Sequence, residues 1–483
     1  MELFIFIIFP VVAACVSYFF FKERKYFEFF LVLVVLSQAF FALYAGYRAV
    51  LHTSVSLGNN FSYDGLSALF LILISAIGVF ASIYSIGYIR HEMKEELIGP
   101  GRMRQYYTLL YLFLFSMYLA VLANHPLVTW IAIETTTLST ALLISMYNKP
   151  AAMEAAWKYL IINSVGLLVG LFGTVLYLAL GAEKLGNDMI TWQNLTQGAS
   201  LFNPEILKIA FIFVLVGYGT KMGLAPMHTW LPDAHGRAPV PISSLLSGVL
   251  LNVSLYAILR YKVIGDASFG SAFSQSLFII LGIVSVVVAM FMIIIQTNYK
   301  RLLAYSSIEN MGIIALGIGF GGVGALAALM HMVYHALAKS FIFLVSGNIF
   351  MKYKTTKIKN IKGMFKALPY TTILFISGIF ALIGFPPFGN FVSKMYILSA
   401  GFKTHPFIAG LLALFLVIIF FGFFRHLQEM IFGEPPENIA VGENGLITFV
   451  PLVAMLVLIL LLSVFMPSML RELIFQSYKI IGG

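Results

Sequence analysis

The sequence predicts an all-α membrane protein that crosses the bilayer many times. Of its 483 residues, 60% are hydrophobic and 10% are charged, which leaves too little polar surface for a soluble globule. Because a bilayer core requires about 20 apolar residues per helix, segment length alone divides the chain into roughly fourteen transmembrane helices. Several ionisable residues lie inside these apolar segments, and the functional interpretation depends on them.

Fourteen segments have the length and hydropathy of a membrane span. In chain order they start near Glu2, Phe27, Asp64, Tyr106, Pro126, Glu154, Ile206, Val240, Ser271, Arg301, Gly322, Pro369, Pro406 and Ile447. The first stretch, residues 2–21, has an acidic start and no small-residue cleavage site, so we expect a retained span. The sequence ends soon after the last span, at Gly483, so we expect no long lateral helix there.

Basic residues indicate the orientation of the chain. They fall in alternate loops, at Lys22, Arg24 and Lys25, at Arg90, Lys94, Arg102 and Arg104, at Lys149, Arg237, Lys300 and Arg301, and between residues 352 and 366. Cytoplasmic loops carry an excess of Lys and Arg, so we expect these loops in the cytoplasm and both termini outside the cell membrane. This topology explains the formal charge of +10 better than nucleic-acid binding, which needs basic residues gathered on one face.

Two predicted helices are interrupted in their middle, by GLAP at residues 223–226 and by GFPPFG at residues 384–389. Backbone groups freed by such breaks cost several kcal/mol each in lipid, so we expect both breaks to line a protein-buried cavity. Each break lies in the fourth span counted from Tyr106 and from Ser271, which predicts two inverted five-helix repeats. The predicted divisions are an N-terminal three-helix segment (1–105), the first repeat (106–265), the second repeat (266–435) and a C-terminal helix (436–483).

Glu134 and Lys221 are the strongest candidates for an ion-carrying pair. An ionisable group at the bilayer centre costs roughly 2.5 kcal/mol or more, so it needs a partner or a function. Glu134 lies in WIAIETTTLSTALLI, about 12 Å from the outer end of its helix at 1.5 Å per residue. Lys221 directly precedes GLAP. The alternatives are a structural carboxylate satisfied by threonine hydroxyls and a lysine that extends to the membrane surface.

A second group of candidates follows in the other half of the chain. His331, His335 and Lys339 recur at i, i+4 and i+8, so they share one helix face over about 12 Å, which suits a proton wire. Lys394 follows the second break by two helical turns and is predicted to be the far-end site. A single buried histidine is often only a hydrogen-bonded core residue, and zinc binding by the pair is disfavoured because no HEXXH glutamate or nearby cysteine accompanies it.

Four further residues are secondary candidates, namely Lys158, Glu309, His228 and Asp233. Lys158 lies one turn beyond Glu154 and either pairs with it or takes part in transport. His228 and Asp233 lie with His235 in PMHTWLPDAHGRAP, where they either admit protons or cap the half-helix after the first break. The only cysteine, Cys15, excludes a disulfide framework and a thiolate metal cluster.

Five segments carry a resemblance to a known family. They are WIAIETTTLSTALL, KMGLAPMHTWLPDAHGRAPVPISSLLSGVLLN, QTNYKRLLAYSSIENMGIIALG, HALAKSFIFLVSG and ALIGFPPFGNFVSK. In these segments the chain resembles the antiporter-like membrane subunits shared by respiratory complex I, membrane-bound NiFe hydrogenases and multisubunit sodium/proton antiporters. The resemblance implies a fourteen-helix subunit with a central hydrophilic axis, in which Glu134 and Lys221 match the essential pair, and His335, Lys339 and Lys394 match the residues of the second half.

One departure from the family pattern concerns the span after the first broken helix. Where many members carry a lysine or histidine, this chain reads LLSGVLLNVSLY, with Ser247 or Asn252 at that position. Neither side chain titrates, so a bound water would have to bridge the path there. The Asn252 version, with ETTTLS and GLAPMHTWLPDAH, is most similar to the hydrogenase-type subunits.

The sequence therefore predicts an ion-translocating membrane subunit of a redox-driven complex, such as a membrane-bound hydrogenase or a complex I-like oxidoreductase. A subunit of a non-redox cation/proton antiporter would share every candidate residue, and the ion, H⁺ or Na⁺, stays open. An enzyme acting on a quinone or solute is disfavoured because no nucleophile triad, metal cluster or phosphate loop is recognisable, and a scaffold leaves the charged row unexplained. The resemblance implies no cofactor in this chain, and places iron–sulfur clusters and NiFe in its membrane and hydrophilic partner subunits.

Overall fold

The structure of the protein, a computed structural model, describes residues 2, 4–20, 23–52, 54–56, 58, 60–186 and 190–482. Phe21, Lys22 and Gly483, which the sequence analysis used, lie outside this described part. The described chain is almost wholly helical, with one antiparallel hairpin formed by β1 (Ser54–Ser56) and β2 (Ser62–Asp64).

The α-helices follow one another with short connections. In chain order they are α1 Phe9–Phe20, α2 Arg24–Leu51, α3 Gly65–Lys94, α4 Pro100–Leu122, α5 Pro126–Ile144, α6 Pro150–Leu185, α7 Trp192–Gln197, α8 Pro204–Met222, α9 Trp230–Arg237, α10 Val240–Leu245, α11 Leu251–Phe269, α12 Ser271–Ile295, α13 Tyr299–Phe320, α14 Val323–Tyr353, α15 Met364–Ala367, α16 Pro369–Ile383, α17 Gly389–Thr404, α18 Pro406–Ile431, α19 Leu446–Val464 and α20 Ser468–Ile480. Phe4–Ile8 and Leu246–Leu250 are π-helical, and Ala199–Leu201 and Ile358–Asn360 are 3₁₀-helical.

Eleven helices in the described part are long and apolar enough to cross a membrane, and one of them, Val240–Phe269, combines α10, the π-helix and α11. Phe4–Phe19 and Pro369–Ile383 are shorter apolar helices. The predicted fold class, a multi-pass helical membrane protein, is therefore confirmed. Most helices start within a few residues of the predicted positions. Helix α4 starts earlier, at Pro100, because Arg102 and Arg104 belong to its first two turns and not to the loop before it.

Both predicted interruptions are present as breaks between helices. Helix α8 ends before Gly223, whose φ is 84°, and α9 begins at Trp230. Helix α16 ends before Gly384, whose φ is 79°, and α17 begins at Gly389. Glycine adopts this left-handed conformation without the steric cost of a Cβ, which is why it terminates both helices.

Protein side chains satisfy carbonyl groups that the breaks release. The indole Nε1 of Trp230 donates to the carbonyl of Thr220 at 2.9 Å. At the second break, Nδ2 of Asn390 donates to the carbonyl of Ala381 at 2.7 Å. Because an unpaired carbonyl is costly away from water, these two bonds stabilise helix ends that lie within the bundle.

The helix connections form two opposite faces of the bundle. One, which we call the basic face, brings Lys149, Arg237 and Lys300 around a single cavity and pairs Lys354 with Glu95. The other, which we call the hairpin face, carries the β-hairpin, α7 and the end of α20 around a larger cavity of about 410 Å³. The loops that the sequence predicts to share one side of the membrane therefore do lie together.

Glycines bring α6 and α8 close enough to share polar contacts. Gly166 and Gly170 of α6 face Thr220 and Gly217 of α8, and a Cβ added at Gly217 would collide with the backbone of Gly170. Small residues at such positions let membrane helices approach closely. This approach places the C-terminal end of α8, with Lys221, against the polar residues of α6.

Candidate functional site

Lys221 is fully buried near the end of α8 and contacts hydroxyl groups from two other helices. Its Nζ donates to Thr137 Oγ1 of α5 at 2.6 Å and to the hydroxyl of Tyr159 of α6 at 3.0 Å. That tyrosine hydroxyl also accepts from Thr140 Oγ1 at 2.6 Å. Within the described part of the chain, no carboxylate lies at ion-pair distance from this ammonium, so neutral oxygens surround the charge.

Glu134 is joined to Lys221 through a hydroxyl group. Its carboxylate is half-buried on α5 and accepts from Ser164 Oγ of α6 at 2.6 Å and from Thr137 Oγ1 at 3.2 Å. Thr137 therefore accepts from the lysine and donates to the glutamate. A hydroxyl can do both at once, so a proton can move from Lys221 to Glu134 without direct contact between the two.

Glu309 and Lys394 form a buried ion pair in the second half of the chain. The Nζ of Lys394 lies 3.0 Å from Glu309 Oε1, and the two side chains are 5% and 1% exposed. The ammonium also donates to the carbonyls of Leu382 and Ile383 at 3.2 and 3.3 Å, which are freed where α16 ends. Lys394 is thus a buried lysine that contacts carbonyls freed at a helix break.

A hydrogen-bonded chain continues from this ion pair to His331. Asn310 donates from Nδ2 to Glu309 Oε2 at 3.2 Å, and its Oδ1 lies 3.0 Å from His331 Nε2. Because an amide oxygen only accepts, Nε2 must carry a proton. The other ring nitrogen, Nδ1, lies 2.8 Å from Ser393 Oγ. We call Glu309, Asn310, His331, Ser393 and Lys394 the second cluster, and Glu134, Thr137, Thr140, Tyr159, Ser164 and Lys221 the first cluster.

His335 and Lys339 follow on the same face of α14. The rings of His331 and His335 are stacked, with centroids 6.0 Å apart, and neither nitrogen of His335 has a hydrogen-bond partner in the described structure. Lys339 is fully buried and donates to the carbonyl of Leu303 and to Ser306 Oγ. The predicted row on one helix face is therefore present, and its middle member is free to accept a proton.

Neutral side chains lie between the two clusters, as the sequence departure predicts. Asn252 donates to the carbonyl of Gly248 on its own helix at 2.8 Å, and its buried Oδ1 has no partner among the described residues. Ser247 lies in the π-helix, and its Oγ is 2.6 Å from the Oγ of Ser307 on α13. A serine pair thus connects the two halves, at the level where Lys339 binds the neighbouring Ser306.

Two of the remaining secondary candidates, Lys158 and Asp233, lie near the surface of the bundle, whereas His228 is buried. Lys158 pairs with Glu154 at 2.6 Å and with Asp233 at 3.4 Å, and its side chain is 48% exposed. Asp233 is also 3.4 Å from Arg301. His228 is buried, and its Nδ1 has no partner among the described residues. The structure brings Glu309 into the second cluster, whereas it leaves Lys158 and Asp233 outside both clusters.

Sequence reasoning missed the neutral members of the two clusters. Ser164, Tyr159, Asn310 and Ser393 are common in helices and give no signal of their own. Two of them, however, directly adjoin a buried charge, since Asn310 follows Glu309 and Ser393 precedes Lys394. Among the described residues, no group of three or more His, Cys, Asp or Glu side chains could hold a metal ion.

The chain matches two families of membrane proteins. Residues 123–422 match the family described as NADH:quinone oxidoreductase/Mrp antiporter, TM, and residues 51–96 match NADH-ubiquinone oxidoreductase (complex I), chain 5 N-terminus. The hydrogenase-4 component F homolog of Methylacidiphilum infernorum (isolate V4) is 37% identical over 420 residues, which cover 86% of this chain and 87% of that protein. Hydrogenase-4 component B of Escherichia coli (strain K12) is 27% identical over 346 residues, 69% of this chain and 49% of that protein.

Two solved structures contain chains of the same fold. A chain of the membrane-bound sulfane sulfur reductase (MBS), an archaeal respiratory membrane complex, matches with a TM-score of 0.87 and 24% identity, over 99% of this chain and 97% of that chain. A chain of the Mrp complex from Dietzia sp. DQ12-45-1b matches with a TM-score of 0.86 and 18% identity, over 100% and 98%. At these identities the likeness establishes the shared fold.

Proposed function

This chain belongs to the NADH:quinone oxidoreductase/Mrp antiporter family, and we propose that it is an ion-translocating membrane subunit of a redox-driven complex. The observation that carries the proposal is that three of the predicted site residues, Lys221, Lys339 and Lys394, are lysines buried and held by hydrogen bonds inside the bundle. Buried charges in membrane helices are costly and by default mark an ion pathway. A purely structural subunit would have no need of three.

The arrangement of charges supports two repeats with the same layout. With Phe4–Phe19 and the interrupted pairs α8–α9 and α16–α17, the eleven long helices would make the fourteen crossings that we propose. Counted from α4 and from α12, Glu134 and Glu309 each lie on the second helix, and Lys221 and Lys394 each lie on the interrupted fourth helix. We therefore propose that the Glu309–Lys394 pair is the counterpart of Glu134 and Lys221. Glu309 and Lys394 are in direct contact, whereas a hydroxyl group separates Glu134 from Lys221.

The basic face is proposed to lie in the cytoplasm and the hairpin face outside the cell membrane. The excess of Lys and Arg in the loops of the basic face supports this orientation. Both ends of the described chain lie towards the hairpin face, since Glu2 pairs with Arg48 at the end of α2 and the carbonyl of Ile481 accepts from Lys262. An even number of crossings likewise puts both ends of the chain on the same side of the membrane.

The proposed cycle moves protons by making and breaking glutamate–lysine contacts. A charge that approaches from a neighbouring subunit favours transfer from Lys221 through Thr137 to Glu134, because only two short hydrogen bonds separate them. In the second half, separation of Glu309 from Lys394 leaves a carboxylate that can accept a proton, and Asn310 links that carboxylate to His331 by hydrogen bonds. The pair formed by Ser247 and Ser307 lets a proton transfer in one half influence a proton transfer in the other half, without a titrating group at Asn252.

The relatives favour a redox-driven complex over a stand-alone antiporter, because the hydrogenase-4 component F homolog is 37% identical along most of the chain. The test is to purify the tagged chain with its partners in mild detergent and to reconstitute the complex into vesicles. We expect iron–sulfur subunits to co-purify and electron transfer to generate a pH gradient or a sodium gradient. Partners without redox centres would instead indicate a cation/proton antiporter, and no gradient of either ion would contradict translocation.

Replacing Thr137 with valine should slow ion translocation by at least about tenfold, the effect of roughly 1.4 kcal/mol on the barrier. Valine has nearly the same shape but lacks the hydroxyl that joins Lys221 to Glu134. The measurement is the initial rate of gradient formation per assembled complex. Thr137→Ser is the matched control, because it keeps the hydroxyl, and equal rates for the valine and serine variants would exclude the relay.

A further inference from the structure

We propose that a small cavity on the basic face, bounded by Glu92 and Lys300, takes up protons, and that His235 passes them to Lys339. This inference rests on the proposed function, because it identifies the intake of the same proton path. Glu92 has no predicted role in the sequence, and Lys300 serves there only to indicate the orientation of the chain. His235 lies after the first break, in a segment for which the sequence leaves two roles open, admission of protons and capping of the half-helix.

The cavity is large enough for water and contains one acidic side chain. Its volume is about 150 Å³, which is room for about five waters at roughly 30 Å³ each. Among the described residues that line it, Glu92 is the only carboxylate, beside the cations Lys149, Arg237 and Lys300. Of these four charged side chains, only the carboxylate can accept a proton that arrives from water, because the three cations already carry theirs.

Glu92 is buried yet incompletely hydrogen-bonded. Its side chain is 1% exposed, and Oε2 has no partner among the described residues. The hydroxyls of Tyr88 and Tyr147, which line the same cavity, hydrogen-bond to each other at 2.8 Å. A buried, unpaired carboxylate oxygen destabilises the protein by at least about 1–3 kcal/mol. A purely structural role for Glu92 does not account for this cost. A proton or a bridging water would satisfy the oxygen.

Lys300 connects the cavity to the helix that carries His235. Its side chain is 4% exposed, and its Nζ donates at 2.9 Å to the carbonyl of Ala238, directly after α9. Three residues earlier in the chain, His235 is fully buried on α9, and neither ring nitrogen has a partner in the described structure. The cavity wall includes Gly236, so His235 lies immediately behind it.

His235 and Lys339 both contact the ring of Phe343. The imidazole stacks on the ring of Phe343, with centroids 4.7 Å apart and an angle of 15° between the planes. The Nζ of Lys339 lies 5.9 Å from the centroid of the same ring. In the proposed step, one nitrogen of His235 accepts a proton from the Glu92 carboxyl through water, and the other nitrogen releases its proton, also through water, to the neutral amine of Lys339.

The other polar groups near α9 are less suited to this role. Asp233 is engaged by Lys158 and Arg301 outside the cavity. Those ion pairs fix its carboxylate at the protein surface. His235 is therefore the residue of this segment that combines full burial, two free nitrogens and a position between the cavity and a buried lysine.

The test compares variants in the assembled complex, reconstituted in vesicles. Glu92→Gln and His235→Phe should each slow proton translocation by at least about tenfold. This is a lower bound, because a positioned acid or base usually accelerates a proton transfer by more than that. Phenylalanine keeps the stacking on Phe343, and Glu92→Asp keeps the carboxylate, so the aspartate variant should recover most of the rate. Glu95→Gln, one turn away and 34% exposed, is the matched control and should translocate normally.

A second measurement keeps the inference testable if these variants do not assemble. Ala152 lines the cavity, so Ala152→Cys in a Cys15→Ser background places the only thiol of this chain there. A water-soluble thiol reagent added on the basic face should label it and block translocation. Absence of labelling, labelling without inhibition, or normal rates in Glu92→Gln or His235→Phe would each overturn the inference. Because the wild-type complex is measured alongside, failure of the intake is distinguishable from absence of ion translocation.

Discussion

Lys221→Met will abolish ion-gradient formation by the assembled complex while electron transfer by its partners continues, at least in part. Methionine retains the length and apolar stem of lysine but carries no proton. The first cluster would then contain Glu134 and four hydroxyl groups with no cation to exchange a proton with them. The measurement is gradient formation and electron transfer in the same vesicles, with at least a tenfold loss in the first, the equivalent of about 1.4 kcal/mol on the barrier.

Lys208→Met is the matched control for this prediction. Lys208 lies on the same helix, α8, and pairs with the exposed Glu205 at 2.8 Å. An exposed pair of this kind contributes about 0–1 kcal/mol to stability, so the control should assemble and translocate ions as the wild type does. A normal gradient in Lys221→Met would remove the first cluster from the ion path, whatever the other variants do.

The sequence predicted the positions of the charged residues within the helices but not the contacts between them. Position along a helix follows from counting residues, so Glu134, Lys221, His331, His335 and Lys339 were placed inside spans and are found there. The rotation of one helix against another does not follow from counting. The hydroxyl bridge that joins the predicted pair, Glu134 and Lys221, therefore does not follow from the sequence, nor does the ion pair formed by Glu309 and Lys394, 85 residues apart.

Short polar elements were the other part that the sequence did not reveal. The hairpin β1–β2 and helix α7 are too short for a hydropathy pattern, and α20 was not separated from the span before it. These elements enclose the cavity on the hairpin face, where Arg260 makes two hydrogen bonds to Asp64 at 2.6 and 2.7 Å. In the sequence, Asp64 marks only the predicted start of a span. An arginine and an aspartate 196 residues apart become partners only through the packing of α3 against α11.

The Glu309–Lys394 pair offers a way to separate stability from ion translocation. Removing one partner of a buried ion pair leaves the other unpaired, at a cost of about 3–5 kcal/mol. Glu309→Gln and Lys394→Met should therefore each reduce the fraction of complex that stays assembled on heating in mild detergent. The double variant removes both charges, so we expect it to regain most of that stability and still form no gradient.

The control for the double variant is another partly buried ion pair outside both clusters. Lys262 and Asp266 lie 2.5 Å apart on α11, with side chains 5% and 13% exposed. Neutralising both, by Lys262→Met and Asp266→Asn, should leave gradient formation close to that of the wild type. If the double variant at Glu309 and Lys394 is no more stable than the single variants, the two residues are not energetically coupled. If it is stable and translocates normally, the second cluster has a structural role, and the ion path must leave α14 by another route.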